Sequence, residues 1–184
     1  QQTISRRQDN LATEANLRWL LAHTHAHLHA DLIFGLPGET LQSFADGFDR
    51  LLAIGPHEIQ LGILKRLRGT PITRHTETHG MAYAAEPPYT VRQTGVVDAD
   101  TLLRFARFAR YWDVLANSGR FGQTLALLLG PDPSVNVARM PDPAAQAETV
   151  ATAPPNGPAI PADRSRYTSP FWRFWTFSDW LWQH

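Results

Sequence analysis

The sequence contains no cysteine. Disulfides, Cys-ligated structural zinc and an iron–sulfur cluster ligated by this chain are therefore excluded. It has no excess of charge: 17 Lys and Arg stand against 17 Asp and Glu. That balance lacks the electrostatic footprint of a nucleic-acid or anionic-membrane partner, and neither is expected. No apolar run approaches the roughly 20 residues that a membrane-spanning helix needs. The opening QQTISRRQDN has no apolar signal-peptide core, and a cytoplasmic protein is the expectation. No internal repeat is present. The chain begins with Gln1 and ends DWLWQH inside an apolar helical pattern, so both ends read as cut from a longer parent.

What is present can build a core. Hydrophobic residues make up 43% of the 184 and charged ones 18%, room for one domain and part of a second. Residues 10–22 place Leu11, Ala15, Leu17, Leu20 and Leu21 at helical spacing. Residues 28–34 read as a strand, and their continuous LIF suits a parallel strand buried on both faces. Gly35-Leu36-Pro37-Gly38 is turn chemistry. A helix over 40–54 follows, with Leu41, Phe44, Phe48, Leu51 and Leu52 on one face, stopped by Gly55 and Pro56. A second strand spans 58–64. Strand, helix and strand make one βαβ unit with a parallel pair.

Residues 73–97 read as irregular. Asp98 or Asp100 then caps a long helix whose apolar face comprises Leu102, Leu103, Phe105, Ala106, Ala109, Trp112 and Leu115. Gly119 stops it, and FGQTLALLL reads as a short second helix. Residues 131–168 are rich in Pro and Ala and poor in large apolar residues, the composition of a disordered linker. Ser169-Pro170 opens a last helix holding four of the six tryptophans.

Function is concentrated at one turn. In parallel α/β layers ligands sit beyond the carboxyl ends of the strands, where GLPGE lies. Its glycines permit close backbone approach, and the next helix offers free N–H groups. Strand alternation places His27, His29, Asp31, Ile33 and Gly35 on one face. On a barrel interior, Asp31 would accept from hydroxyl groups and Ile33 would floor a flat ring.

DLIFGLPGET followed by HEIQLGILKRLRGTPI resembles the radical S-adenosylmethionine superfamily. The likeness is to its coproporphyrinogen-oxidase-like and cobalamin-binding-domain branches. There the fifth barrel strand carries a GxIxGxxE-like motif. Here it stands as Asp31 to Glu39, with Ala30 in place of the first Gly. The sixth strand ends in a PGTP-like turn, here Arg68-Gly69-Thr70-Pro71, with Arg68 for the first Pro. VDADTLLRFARFARYWDVLANSGRF resembles the helical C-terminal domain of some cobalamin-type members. The resemblance covers about residues 1–121 and the final aromatic helix.

It implies an incomplete α/β radical-enzyme barrel over 1–75, then a helical extension over 76–130, the 131–168 linker and a truncated C-terminal-domain helix over 169–184. It implies that Asp31 holds the ribose of S-adenosylmethionine, that Ile33 lies against the adenine, and that backbone near Leu64 and Lys65 meets its edge. Gly35 and Glu39 belong to the same cofactor-binding motif, and Arg6 in SRRQ would contact the methionine carboxylate. The CxxxCxxC loop for the 4Fe-4S cluster is absent, so its ligands would lie upstream. The parent would use an electron donor and act on a small-molecule substrate; whether it uses cobalamin stays open. The piece alone would be inactive.

Several features carry plainer readings. His23, His25, His27 and His29 alternate, but the first two fall in the helix-to-strand loop and no convergent partner is visible. No metal site is expected in this piece, and His29 is kept as a substrate-pocket candidate. Arg66 and Arg68, at a strand's carboxyl end, are candidates for substrate carboxylates. Arg104, Arg107 and Arg110 read as a solvated helix face. The aromatic helix reads as core packing against residues outside the chain rather than as a membrane anchor. The alternative reading of the whole is a non-catalytic α/β and helical module that binds a nucleotide or a protein.

Overall fold

The computed structural model describes residues 9–130 and 168–184. Arg6 and the 131–167 part of the expected linker lie outside them. The architecture is mixed α/β. In chain order the elements are α1 (Asn10–His23), β1 (His29–Phe34), α2 (Leu41–Ile54), β2 (Glu58–Ile63), β3 (Ala82–Tyr83), β4 (Val91–Gln93), α3 (Ala99–Trp112), α4 (Gly122–Leu129) and α5 (Pro170–Gln183). Among them no helix is long and apolar enough to cross a membrane.

Helix starts follow from capping chemistry. Asp9, Thr40, Asp98 and Ser169 each accept a hydrogen bond from a first-turn N–H, and Thr40 with Ser43 completes a reciprocal box. Gly55 ends α2 in the left-handed region at φ 78°.

β1 and β2 pair in parallel, from His29 opposite Glu58 to Phe34 opposite Ile63, with α2 as the crossover. The pleat then sorts their residues. Ala30, Leu32 and Phe34 face the helical layer. Phe34 is fully buried, its ring 5.1 Å from Phe44 of α2 and 4.6 Å from Phe105 of α3. His29, Asp31 and Ile33 point the other way and are exposed, as is Gln60 on β2. Among the described residues no third strand joins the pair. The expectation of a strand buried on both faces is thus corrected: among the described residues, helices cover one face only.

β2 is tied to the helices at its start. The Asn117 amide accepts from Ile59 N–H at 3.3 Å and donates to Ile59 C=O at 3.1 Å, where Trp112 Nε1 also donates. A side-chain amide here imitates a neighbouring strand.

Residues 73–97 are more ordered than their text suggests. Pro71–His75 forms a 3₁₀ turn, and β3 and β4 make an antiparallel hairpin. A Lys65–Thr90 bridge fixes that hairpin beside the end of β2. Met81, Val91 and Val97 join the core. That core runs from Phe34 to Trp175 and draws on the expected barrel, extension and final-helix ranges alike.

The α3 face is also rephased. Leu102, Phe105, Phe108 and Trp112 are buried, whereas Leu103 is 52% exposed and Ala106 is exposed. Phe108 sits among the rings of Phe48, Phe105, Trp112, Phe171, Phe174 and Trp175. The last three belong to α5, so the aromatic helix packs on this chain's own α3 and α2. Asp49 of α2 anchors its start, accepting from Phe171 N–H at 2.8 Å and Ser169 Oγ at 2.5 Å. The arginine stripe of α3 is not simply solvated. Arg104 and Arg107 both pair with Asp179 of α5, and their guanidinium groups lie over Trp175 and Trp182 at 5.0 and 4.9 Å.

Candidate functional site

The carboxyl end of the parallel pair is built by the GLPGE turn. Gly35 is buried at φ 90°, a conformation that disfavours any side chain. A Cβ there would stand 2.7 Å from Val91 Cγ1 and 3.7 Å from Leu102 Cδ2. On the side a Cβ would take, the close approach at this glycine is made by the hairpin and α3. Glu39 folds back over the turn, its Oε2 accepting from the N–H groups of Gly35 at 3.1 Å and Leu36 at 3.3 Å.

Burial raises the Glu39 carboxyl to about 7, with the Leu36 and Gly35 N–H groups pulling the other way. The folded chain therefore keeps this proton up to about pH 7, whereas an unfolded chain releases it near 4.5. Stability from this group is fullest below 4.5, falls as pH rises to about 7, and is level above. The expected fall is about 3 kcal/mol. Glu39→Gln removes it, so urea midpoints of wild type and variant are expected to converge or diverge with pH only across that window. Parallel pH profiles would count against it.

Asp31 and Ile33 stand on the uncovered face, with Gln60 and Gly62 as their cross-strand partners. Ile33 is 43% exposed. The pair thus presents a carboxylate, an amide and an apolar floor side by side. Gln60 went unnoticed in sequence, although alternation through EIQLGI puts Glu58, Gln60 and Gly62 on one face.

The remaining candidates separate. Leu64 is buried; its N–H donates to Phe34 C=O and its C=O accepts from Val91 N–H, each at 2.9 Å. Lys65 is exposed, and its C=O accepts from Leu67 N–H at 3.1 Å. Arg66 lies over the Tyr83 ring at 5.0 Å, and Arg68 is exposed. His29 is not at this end. It opens β1 and pairs with Glu58, which opens β2, at 3.0 Å. His27 Nδ1 lies 3.0 Å from His29 Nε2. The histidines therefore do have a convergent partner, supplied by the second strand.

No protein-family model matches the chain, and comparison with curated proteins finds no match.

Proposed function

We propose that the chain is the adenosine-binding, carboxyl-terminal part of a radical S-adenosylmethionine barrel, followed by its helical extension. One observation carries this reading. Among the described residues, the parallel β1–α2–β2 unit keeps its helices on one face and leaves the other bare, with Asp31 and Ile33 on it and the GLPGE turn at its carboxyl end. In parallel barrels helices take the outer face, the other lines the interior, and ligands meet the carboxyl ends.

The residues fit the nucleoside end of such a cofactor. Asp31 offers acceptor oxygens to ribose hydroxyls, and Ile33 offers an apolar surface to the adenine. Glu39 holds the turn in shape rather than reaching out. Backbone at Lys65 would meet the adenine edge, and Arg6 would serve the methionine carboxylate. The chain has no cysteine, so cysteine ligands for a 4Fe-4S cluster would have to come from outside it. Bound beside such a cluster, the cofactor would supply radical chemistry for hydrogen abstraction. The work of this chain is to bind, orient and shield.

The test is anaerobic cofactor titration of the cluster-loaded parent. Asp31→Ala is expected to weaken S-adenosylmethionine binding about ten- to a hundredfold, and Asp31→Asn less, because one acceptor oxygen remains. Wild-type affinity in Asp31→Ala with the cluster intact would remove the assignment.

A further inference from the structure

The opposite end of the strand pair carries its own constellation. Residues two apart on a strand share a face, and His27 precedes His29 by two. The parallel register sets Glu58 directly across from His29. His27, His29 and Glu58 each bring one ligand-type atom within 4.8 Å of the others. His27 Nδ1 and His29 Nε2 are 3.0 Å apart, and His29 Nδ1 is 3.0 Å from Glu58 Oε2. The two 3.0 Å contacts use opposite nitrogens of the His29 ring, and a ring gives one metal a single nitrogen. The one-atom-per-residue set, within 4.8 Å, must therefore draw in toward the roughly 3.3 Å between two nitrogens on one tetrahedral zinc. The second Glu58 oxygen is 4.0 Å from His27 Nε2. These side chains are half exposed or nearly so, free to close by small rotations.

Supporting groups are present too. His57, just before β2, accepts from Leu28 N–H through Nδ1 at 3.0 Å, which fixes its ring. That ring lies 4.5 Å from the His27 ring, tilted by 30°, and holds it toward His29.

We propose that His27, His29 and Glu58 bind a borderline divalent transition metal, zinc first, with one coordination position left to water. Two imidazoles and one carboxylate are a zinc donor set with an open site. The site lies at the amino end of the strands, away from Asp31 and GLPGE, and does not depend on the proposed cofactor role.

The probe is zinc chloride titrated into the 184-residue chain against a chromophoric chelator, with cobalt(II) absorption to report tetrahedral coordination. One equivalent is expected to bind. His29→Ala and Glu58→Gln are each expected to weaken binding at least about tenfold. His75→Ala, at the separate His75–His79 ring pair, is expected to leave it unchanged. Histidine NMR of the unsubstituted chain adds a reading free of folding effects: the His27 and His29 ring signals shift on zinc addition and those of His75 and His79 do not. Zinc binding weaker than about 0.1 mM, or binding that persists in a folded His27→Ala/His29→Ala variant, overturns the proposal.

Discussion

Phe108→Ala is expected to cost about 3–5 kcal/mol of folding stability. The side chain is fully buried and contacts six other aromatic rings, three of them on α5. Removing it deletes the ring's burial and leaves a cavity that stiff neighbours fill poorly. Phe108→Leu keeps most of the volume and is expected to cost about 1–2 kcal/mol. Urea denaturation followed by circular dichroism measures both. A loss below about 1 kcal/mol for the alanine variant would mean that α5 does not close over α3 in solution.

Gly35→Ala is expected to cost about 2–5 kcal/mol. Two terms add: about 1–2 for a side chain in the left-handed region, and about 1–3 for overpacking. The second arises because the new Cβ would meet Val91 Cγ1 at 2.7 Å. Gly55 separates them. It has φ 78°, but a Cβ there meets nothing within 4 Å, so Gly55→Ala is expected to lose only the backbone term. Adding Val91→Ala to Gly35→Ala is expected to recover part of the difference. Equal losses at Gly35 and Gly55 would show that the hairpin does not press on the turn.

Much of this fold is legible from local chemistry. The β1–α2–β2 unit announces itself by apolar runs of strand length, a Gly-Pro turn and a capped, one-faced helix, and the structure pairs the strands in parallel as that pattern implies. The hairpin does not announce itself, because strands of two and three residues are too short for alternation to register. Its order comes from the bridge between Lys65 and Thr90. The docking of α5 is equally silent in sequence. Asp49 meets Ser169, and Arg104 meets Asp179, across separations that no local pattern encodes.

The candidate sites divide along the same line. Alternation put Asp31 and Ile33 on one face, as found. It also put Glu58 and Gln60 on one face of β2, but only the register names their opposite numbers, His29 and Asp31. The return of the Glu39 carboxylate to its own turn is a local bond that the residue type alone does not specify.

The uncovered side of the β1–β2 ribbon has a composition with its own consequence. A dry layer of side chains laid over it would strip water from Asp31 and Gln60, and an unpaired buried carboxylate is too costly for one exposed isoleucine to offset. Parallel ribbons destined for a dry interior carry bulky aliphatic residues at such positions. This one carries an acid, an amide and, at Gly62, no side chain at all. Any layer that meets this face must therefore leave Asp31 and Gln60 in water or bring polar groups that pair with them.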